Sequence, residues 1–300
     1  MTTQEGDWRE PAAPRSELNE FLRSRRARLR PEDVGVQSFG RRRRVPGLRR
    51  EEISQLAGVS VAYYTRLEQG NGQNVSAEIL ESIARALRLS ESERAHLFHL
   101  ARPRPAQTGQ PGHPAQPQRV REDVVQLLDL LDGVPAYVWG RRGDILAWND
   151  AAAALFDPWF DRPDQDRNWT RIVFLDARSR DFFFDWESKA TEVVSQLRLD
   201  AGMHPHDPLA VALVAEAQEK SPDFRRMWAS HDVQRFSHGE LCVRHDRVGA
   251  LSLRYETLTL PDDHEQAVTM YRAEPGPAVE LLRLVTGVDQ GQSRRLAPGT

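Results

Sequence analysis

The chain has 300 residues, 39% of them hydrophobic and 28% charged, with a formal net charge of -3 and one cysteine, Cys242. That length suggests two domains, while a lone cysteine excludes an internal disulfide framework and fits a reducing, cytoplasmic setting. No run of about 18 apolar residues occurs and no basic-then-apolar leader opens the chain, so neither a membrane partner nor a secretory signal is expected.

The charge is unevenly placed. Residues 15–104 carry 18 arginines against 11 carboxylates, a net +7, whereas residues 105–300 carry 22 basic against 30 acidic residues, a net -8. A basic front joined to an acidic rear suggests a nucleic-acid module attached to something that avoids nucleic acid.

Residues 1–14 are rich in Pro and Ala and are expected to be disordered. Ser16 is the expected cap of a helix in which Leu18, Phe21, Leu22 and Leu29 form an apolar stripe, ended by Pro31. The loop from Pro31 to Pro46 contains Arg41, Arg42, Arg43 and Arg44. Leu48, Ile53, Leu56 and Ala57 then recur at helical spacing until Gly58 interrupts them. Ser60 is placed to cap a second helix by accepting from the amide of Ala62 or Tyr63. That helix carries Tyr64 and Leu67 on its inner face, and Gly70 stops it. A helix, a Gly58-Val59-Ser60 corner and a capped helix make a helix-turn-helix, whose second member lies in a DNA major groove. The residue four before Gly58 sits where the two helices cross and must be small; here it is Ser54. Ser76 opens a further helix, and Ser90 with Glu93 forms a capping box for a fifth.

Ser60, Val61, Ala62, Tyr63 and Arg66 are the base-edge candidates. Arg66 has the fork that matches a guanine, although a phosphate contact or a salt bridge suits it equally. Arg49, Arg50 and Arg41, Arg42, Arg43 and Arg44 are phosphate candidates, which position without specifying; a solvated charge run is the alternative for the loop.

Five prolines among Gln and Gly mark residues 103–119 as a linker. Beyond it, Val124–Leu131 reads as an amphipathic helix broken by Gly133-Val134-Pro135. Residues 136–139 and 144–148 read as strands around a turn at Arg141-Arg142-Gly143, and Asn149 caps a helix running to Phe156. Helices are expected near 181–200, 207–219 and 222–230, and strands at 240–244, 248–257 and 267–272, an α+β arrangement. Tyr137, Trp148, Phe174, Trp186 and Trp228 belong to an aromatic set that lines an apolar pocket or fills a solid core. His231, Arg244 and Arg254 are candidate partners for an acidic ligand group.

His204, His206 and His231-Asp232 have weak metal-ligand spacing, and no nucleophile elbow, phosphate loop or paired-carboxylate signature occurs. The expectation is no enzyme, no catalytic residue, no metal and no cofactor, with Cys242 a buried structural thiol.

Two sets of motifs resemble the MmyB-like transcription regulators, bacterial Xre-type helix-turn-helix proteins with a PAS-like ligand-binding domain. The front set is Arg44-Val45-Pro46-Gly47-Leu48-Arg49-Arg50-Glu51-Glu52, Leu56-Ala57-Gly58-Val59-Ser60 and Tyr63-Tyr64-Thr65-Arg66-Leu67-Glu68-Gln69-Gly70. The rear set is Gly133-Val134-Pro135-Ala136-Tyr137, Ala147-Trp148-Asn149, Asp185-Trp186-Glu187, Ser221-Pro222-Asp223-Phe224-Arg225 and Trp228-Ala229-Ser230-His231-Asp232-Val233. The resemblance implies an all-α, five-helix, lambda-repressor-like helix-turn-helix domain (15–102) followed by an α+β PAS-like domain (120–287) and a disordered tail (288–300). It also implies a double-stranded DNA operator and a small apolar ligand such as a long-chain fatty acid; because a single helix-turn-helix reads few base pairs, a homodimer on two half-sites is expected. A rear domain that only mediates dimerisation or partner binding is the alternative. Two departures stand out: Ser54 where relatives usually carry Ala, and Glu240-Leu241 with His245-Asp246 where they carry a basic residue and His-Pro.

Overall fold

The computed structural model describes residues 14–35, 47–70, 75–102, 118–261 and 263–287. Arg41, Arg42, Arg43 and Arg44 lie outside the described residues, as do the expected disordered N-terminus up to residue 13, most of the linker and the tail.

The front of the chain forms α1 (Pro14–Arg28), α2 (Arg50–Ala57), α3 (Val61–Glu68), α4 (Ala77–Ala86) and α5 (Glu91–Ala101). Helix α1 opens at Pro14, two residues before the expected Ser16 cap. The other caps fall where the sequence places them: Ser60 Oγ accepts from the Tyr63 amide at 3.1 Å, and Ser76 Oγ from Ile79 at 3.3 Å. Ser90 and Glu93 exchange bonds of 3.2 and 2.9 Å, which satisfies two end amides of α5 at once. Leu18, Phe21, Leu22, Leu48, Ile53, Tyr64, Leu67, Leu80, Ile83 and Leu97 make the shared core. Leu56 is the exception, 39% exposed on the outer side of α2.

The rear of the chain runs α6 (Glu122–Asp129), β1 (Ala136–Trp139), β2 (Ile145–Trp148), α7 (Asp150–Leu155), α8 (Trp169–Leu175), α9 (Arg178–Phe182), α10 (Trp186–Met203), α11 (Pro208–Lys220) and α12 (Pro222–Ala229). It then runs β3 (His238–His245), β4 (Gly249–Leu260), β5 (Asp263–Ala273) and α13 (Pro277–Thr286). The five strands form one antiparallel sheet in the order β2-β1-β5-β4-β3, so the last strand pairs with the first. Helix α6 covers one face, burying Val124 and Leu128 against Ala136 and Val138.

Asn149 holds the start of this sheet. Its Oδ1 accepts from Ala152 at 3.0 Å, capping α7, and from Ala136 at 3.1 Å; its Nδ2 donates to the carbonyls of Leu131 and Val134 at 3.0 and 2.8 Å. A buried amide with both ends satisfied fixes the hairpin relative to α6 and α7.

Cys242 is exposed, contrary to the buried thiol expected. Side chains of a strand alternate between faces; Leu241, Val243 and His245 of β3 take the buried side, which turns Cys242 outward beside Ser252 Oγ at 3.4 Å.

The chain divides into two compact units that do not follow its order. Among the described residues, those within 14–102 pack with 190–235, and those within 118–189 pack with those of 236–287. The cut falls inside α10, whose first four residues belong to the second unit and the rest to the first.

Candidate functional site

The first unit presents α3. Its entry is set by Gly58, whose left-handed φ of +67° closes α2, a conformation costly for any residue with a Cβ. The Val59 amide then bonds to Ser54 O at 3.0 Å, and Ser54 Oγ bonds back to Arg50 O at 2.6 Å. The hydroxyl at this crossing, buried to 1% exposure, is therefore satisfied within its own helix, which is why Ser serves in place of Ala.

Tyr64 and Leu67 point into the core, as expected. Ser60, Val61, Ala62 and Arg66 are exposed and Tyr63 is half-buried, so all five base-edge candidates share the outer side of α3. The Arg66 guanidinium rests 5.8 Å from the Tyr63 ring centre and has no ion pair among the described residues. Such a stack holds the guanidinium extended without using its donors.

The inner end of α3 is held by a feature the sequence reading missed. Glu68 is 1% exposed and takes Arg26 Nη2 at 2.7 Å and Nε at 3.1 Å, with Arg50 Nε on its other oxygen. Arg26 also donates to Leu48 O at 2.6 Å. One carboxylate thus ties α3 to α1 and to the start of α2. Arg50, a phosphate candidate, has its guanidinium on Glu68, which holds its pKa above the ordinary arginine value. Arg49 remains exposed, its amide capped by Glu52 at 2.7 Å.

The ligand-pocket candidates separate. In the second unit Tyr137 joins Phe156, Phe160, Trp169 and Tyr271 in a cluster with ring centres 5.1–6.2 Å apart, and its hydroxyl lies 3.3 Å from that of Tyr271. Trp148 sets its edge on Phe160 at 5.6 Å, under the guanidinium of Arg167. Phe174 and Trp186 meet edge to face at 5.5 Å, with Trp186 Nε1 bonded to Val173 O at 3.0 Å. Trp228 and His231 belong instead to the first unit.

The arginines chosen as acid partners lie on the surface of the sheet. Arg244 stacks over Phe184 at 4.7 Å, and Arg254 is held by Glu240 at 2.6 Å and by Glu274, which hold its pKa up. The departure at Glu240 therefore supplies one of Arg254's two anions. The buried cation beside the aromatic cluster is Lys189, 6% exposed, with Nζ 4.7 Å from the Trp169 ring centre. A lysine at the first turn of α10 gives no periodic signal that marks it as buried.

The histidine-rich segment has a local role. Asp207 caps α11 by accepting from Leu209 at 2.9 Å, and His204 Nδ1 lies 3.2 Å from Asp200 O. Among the described residues, no group of three metal-ligating side chains occurs.

Comparison with protein families gives two matches. Residues 120–283 match the MmyB-like transcription regulator ligand binding domain, and residues 17–97 match a helix-turn-helix domain. No curated protein matches the sequence.

Proposed function

Since the chain belongs to the MmyB-like transcription regulators, DNA-binding proteins with a ligand-binding domain, we propose that α3 reads a duplex operator and that a small apolar ligand adjusts this binding. The observation that carries the first part is the exposed side of α3: Ser60, Val61, Ala62, Tyr63 and Arg66 face solvent on a helix whose inner side is anchored by Tyr64, Leu67 and Glu68. Arg66 forks onto a guanine edge and Val61 and Ala62 meet thymine methyls. Arg49 and the Arg41, Arg42, Arg43 and Arg44 run bind phosphate. One such helix reads few base pairs, so two copies act on half-sites about 34 Å apart.

The ligand is a long-chain fatty acid or a molecule of similar character, seated by the aromatic residues of the second unit. Support comes from the family match and from Lys189, a buried cation beside those rings. Burial contributes roughly 0.8 kcal/mol per methylene, so an acyl chain needs few polar contacts. Control requires different ligand affinities in the DNA-competent and incompetent states.

Selection from genomic fragments with the purified protein tests the reading. Enrichment of a two-fold-symmetric sequence, with affinity falling steeply with salt, supports it; no enriched sequence from folded protein overturns it. Titration of that operator with and without a myristate-class fatty acid tests the ligand, and equal affinities overturn that part.

A further inference from the structure

Residues 190–235 lie inside the span matched by the ligand-binding model, yet they pack with the helix-turn-helix. Leu199 and Val233, 1% and 5% exposed, are members of the same core cluster as Leu18, Phe21 and Leu97. The Arg235 amide donates to Ser92 Oγ at 3.2 Å. On α10, Gly202 faces His96 of α5 so closely that a Cβ there would stand 2.6 Å from His96 Cε1.

Two buried arginines close this contact. Arg25 of α1, 2% exposed, donates to the His231 carbonyl and pairs with Asp232 at 3.1 Å and Glu93 at 3.3 Å. Arg198 of α10, 1% exposed, donates to the Trp228 carbonyl, lies 4.1 Å from that residue's ring centre, and reaches His231 Nδ1 at 3.0 Å. His231 has a left-handed φ of +55°, which turns its carbonyl and ring toward the two guanidiniums. An Arg–NH···Nδ1 bond leaves the imidazole proton on Nε2, which faces Glu20 Oε2 at 3.4 Å. Burial and the two arginines hold His231 neutral, its pKa lowered to about 4. The corner after α12 is therefore bonded to α1 through the His231 carbonyl and to α10 through the Trp228 carbonyl.

We infer that residues 190–235 are a working part of the DNA-binding unit, and that the seat of α10 and the Trp228–Arg235 corner on α1 and α5 sets the operator affinity of the helix-turn-helix. Helix α10 is one unbroken helix whose first turn, with Trp186 and Lys189, belongs to the other unit. Its later turns face α5 through Gly202 and enter the helix-turn-helix core through Leu199. This rests on the DNA-binding reading above for its affinity readout only.

The test uses the full chain carrying Gly202→Ala, which crowds His96, or Asp232→Asn, which keeps the fold of an exposed carboxylate while removing its charge. Amide hydrogen exchange is followed in α1, α5 and β4–β5, and affinity is measured for the duplex selected with wild-type protein. The expected result is exchange in α1 and α5 at least fivefold faster and operator affinity at least fivefold weaker, with β4–β5 unchanged. Wild-type exchange in α1 and α5 together with wild-type affinity, whatever happens within 197–235, overturns the inference. Failure of the wild-type protein to select any duplex instead defeats the DNA-binding reading and with it the affinity part of the inference, and the exchange data then decide only whether residues 190–235 brace α1 and α5.

Discussion

The two sides of the first unit use charge in opposite ways. On the outer side of α3, Arg66 stands in solvent on a tyrosine ring, with its donors available to a partner. At the contact of α1 with α10 and the corner after α12, Arg25 and Arg198 are almost completely buried, and their terminal nitrogens are engaged by carboxylates, carbonyls and a neutral histidine. The same residue type is therefore left open to a partner in one place and fastens the fold in the other. Burial and partners separate the two roles, and residue identity does not.

The largest expected effect breaks the anchor beneath the reading surface. Glu68→Ala leaves Arg26 in a mostly buried position with no carboxylate, and losing one partner of such a pair costs roughly 3–5 kcal/mol. Chemical denaturation should show that loss, and a cost below about 1 kcal/mol would make the Arg26–Glu68–Arg50 link incidental.

Acid acts on the opposite side. His96 is lowered to about 3, by burial first and then by Arg198 and its neighbours. A histidine lowered on folding gives up stability as pH falls below its unfolded value of about 6.5, because only the unfolded chain takes up the proton. At pH 5 that amounts to about 2 kcal/mol for His96, and His231 adds in the same direction. Glu17, raised by burial, works the other way at the lower end of the window. Denaturation midpoints at pH 7.5 and 5 measure this, and His96→Gln should flatten the difference.

Arg66→Ala should weaken the selected operator by roughly 1–3 kcal/mol and relax the preference at one base pair, without lowering thermal stability. Equal weakening across all sequences would move Arg66 to the phosphate group of contacts. Arg49→Ala should weaken every duplex alike and reduce the salt slope by about 1. The smallest effect is Val61→Ser, which should change folding stability by no more than about 0.5 kcal/mol, since the side chain is already 41% exposed.

Much of this was legible in the sequence because caps and periodicity are local. Ser60, Ser76, Ser90 and Asn149 cap the helices they were expected to cap. The sheet strands fall within a few residues of their expected bounds. What stayed hidden depends on distant partners. Arg25 lies on the apolar stripe of α1, one turn beyond Phe21 and Leu22, and nothing local shows that residues 207 positions later will satisfy it. Trp228 and His231 fall within the expected ligand-binding span of 120–287, and only packing assigns them to the first unit. Leu56 misled for the converse reason: its spacing fits the buried face of α2, yet it emerges at the edge of the core.

The path of the chain also bears on synthesis. A ribosome releases α1 to α5 first, but Leu199 and Val233, which complete their core, follow about a hundred residues later. Throughout that interval the nascent bundle has an uncovered flank, with Arg25 unable to reach Asp232. A chain ended between these points would lack the two residues that later sequence adds to that core.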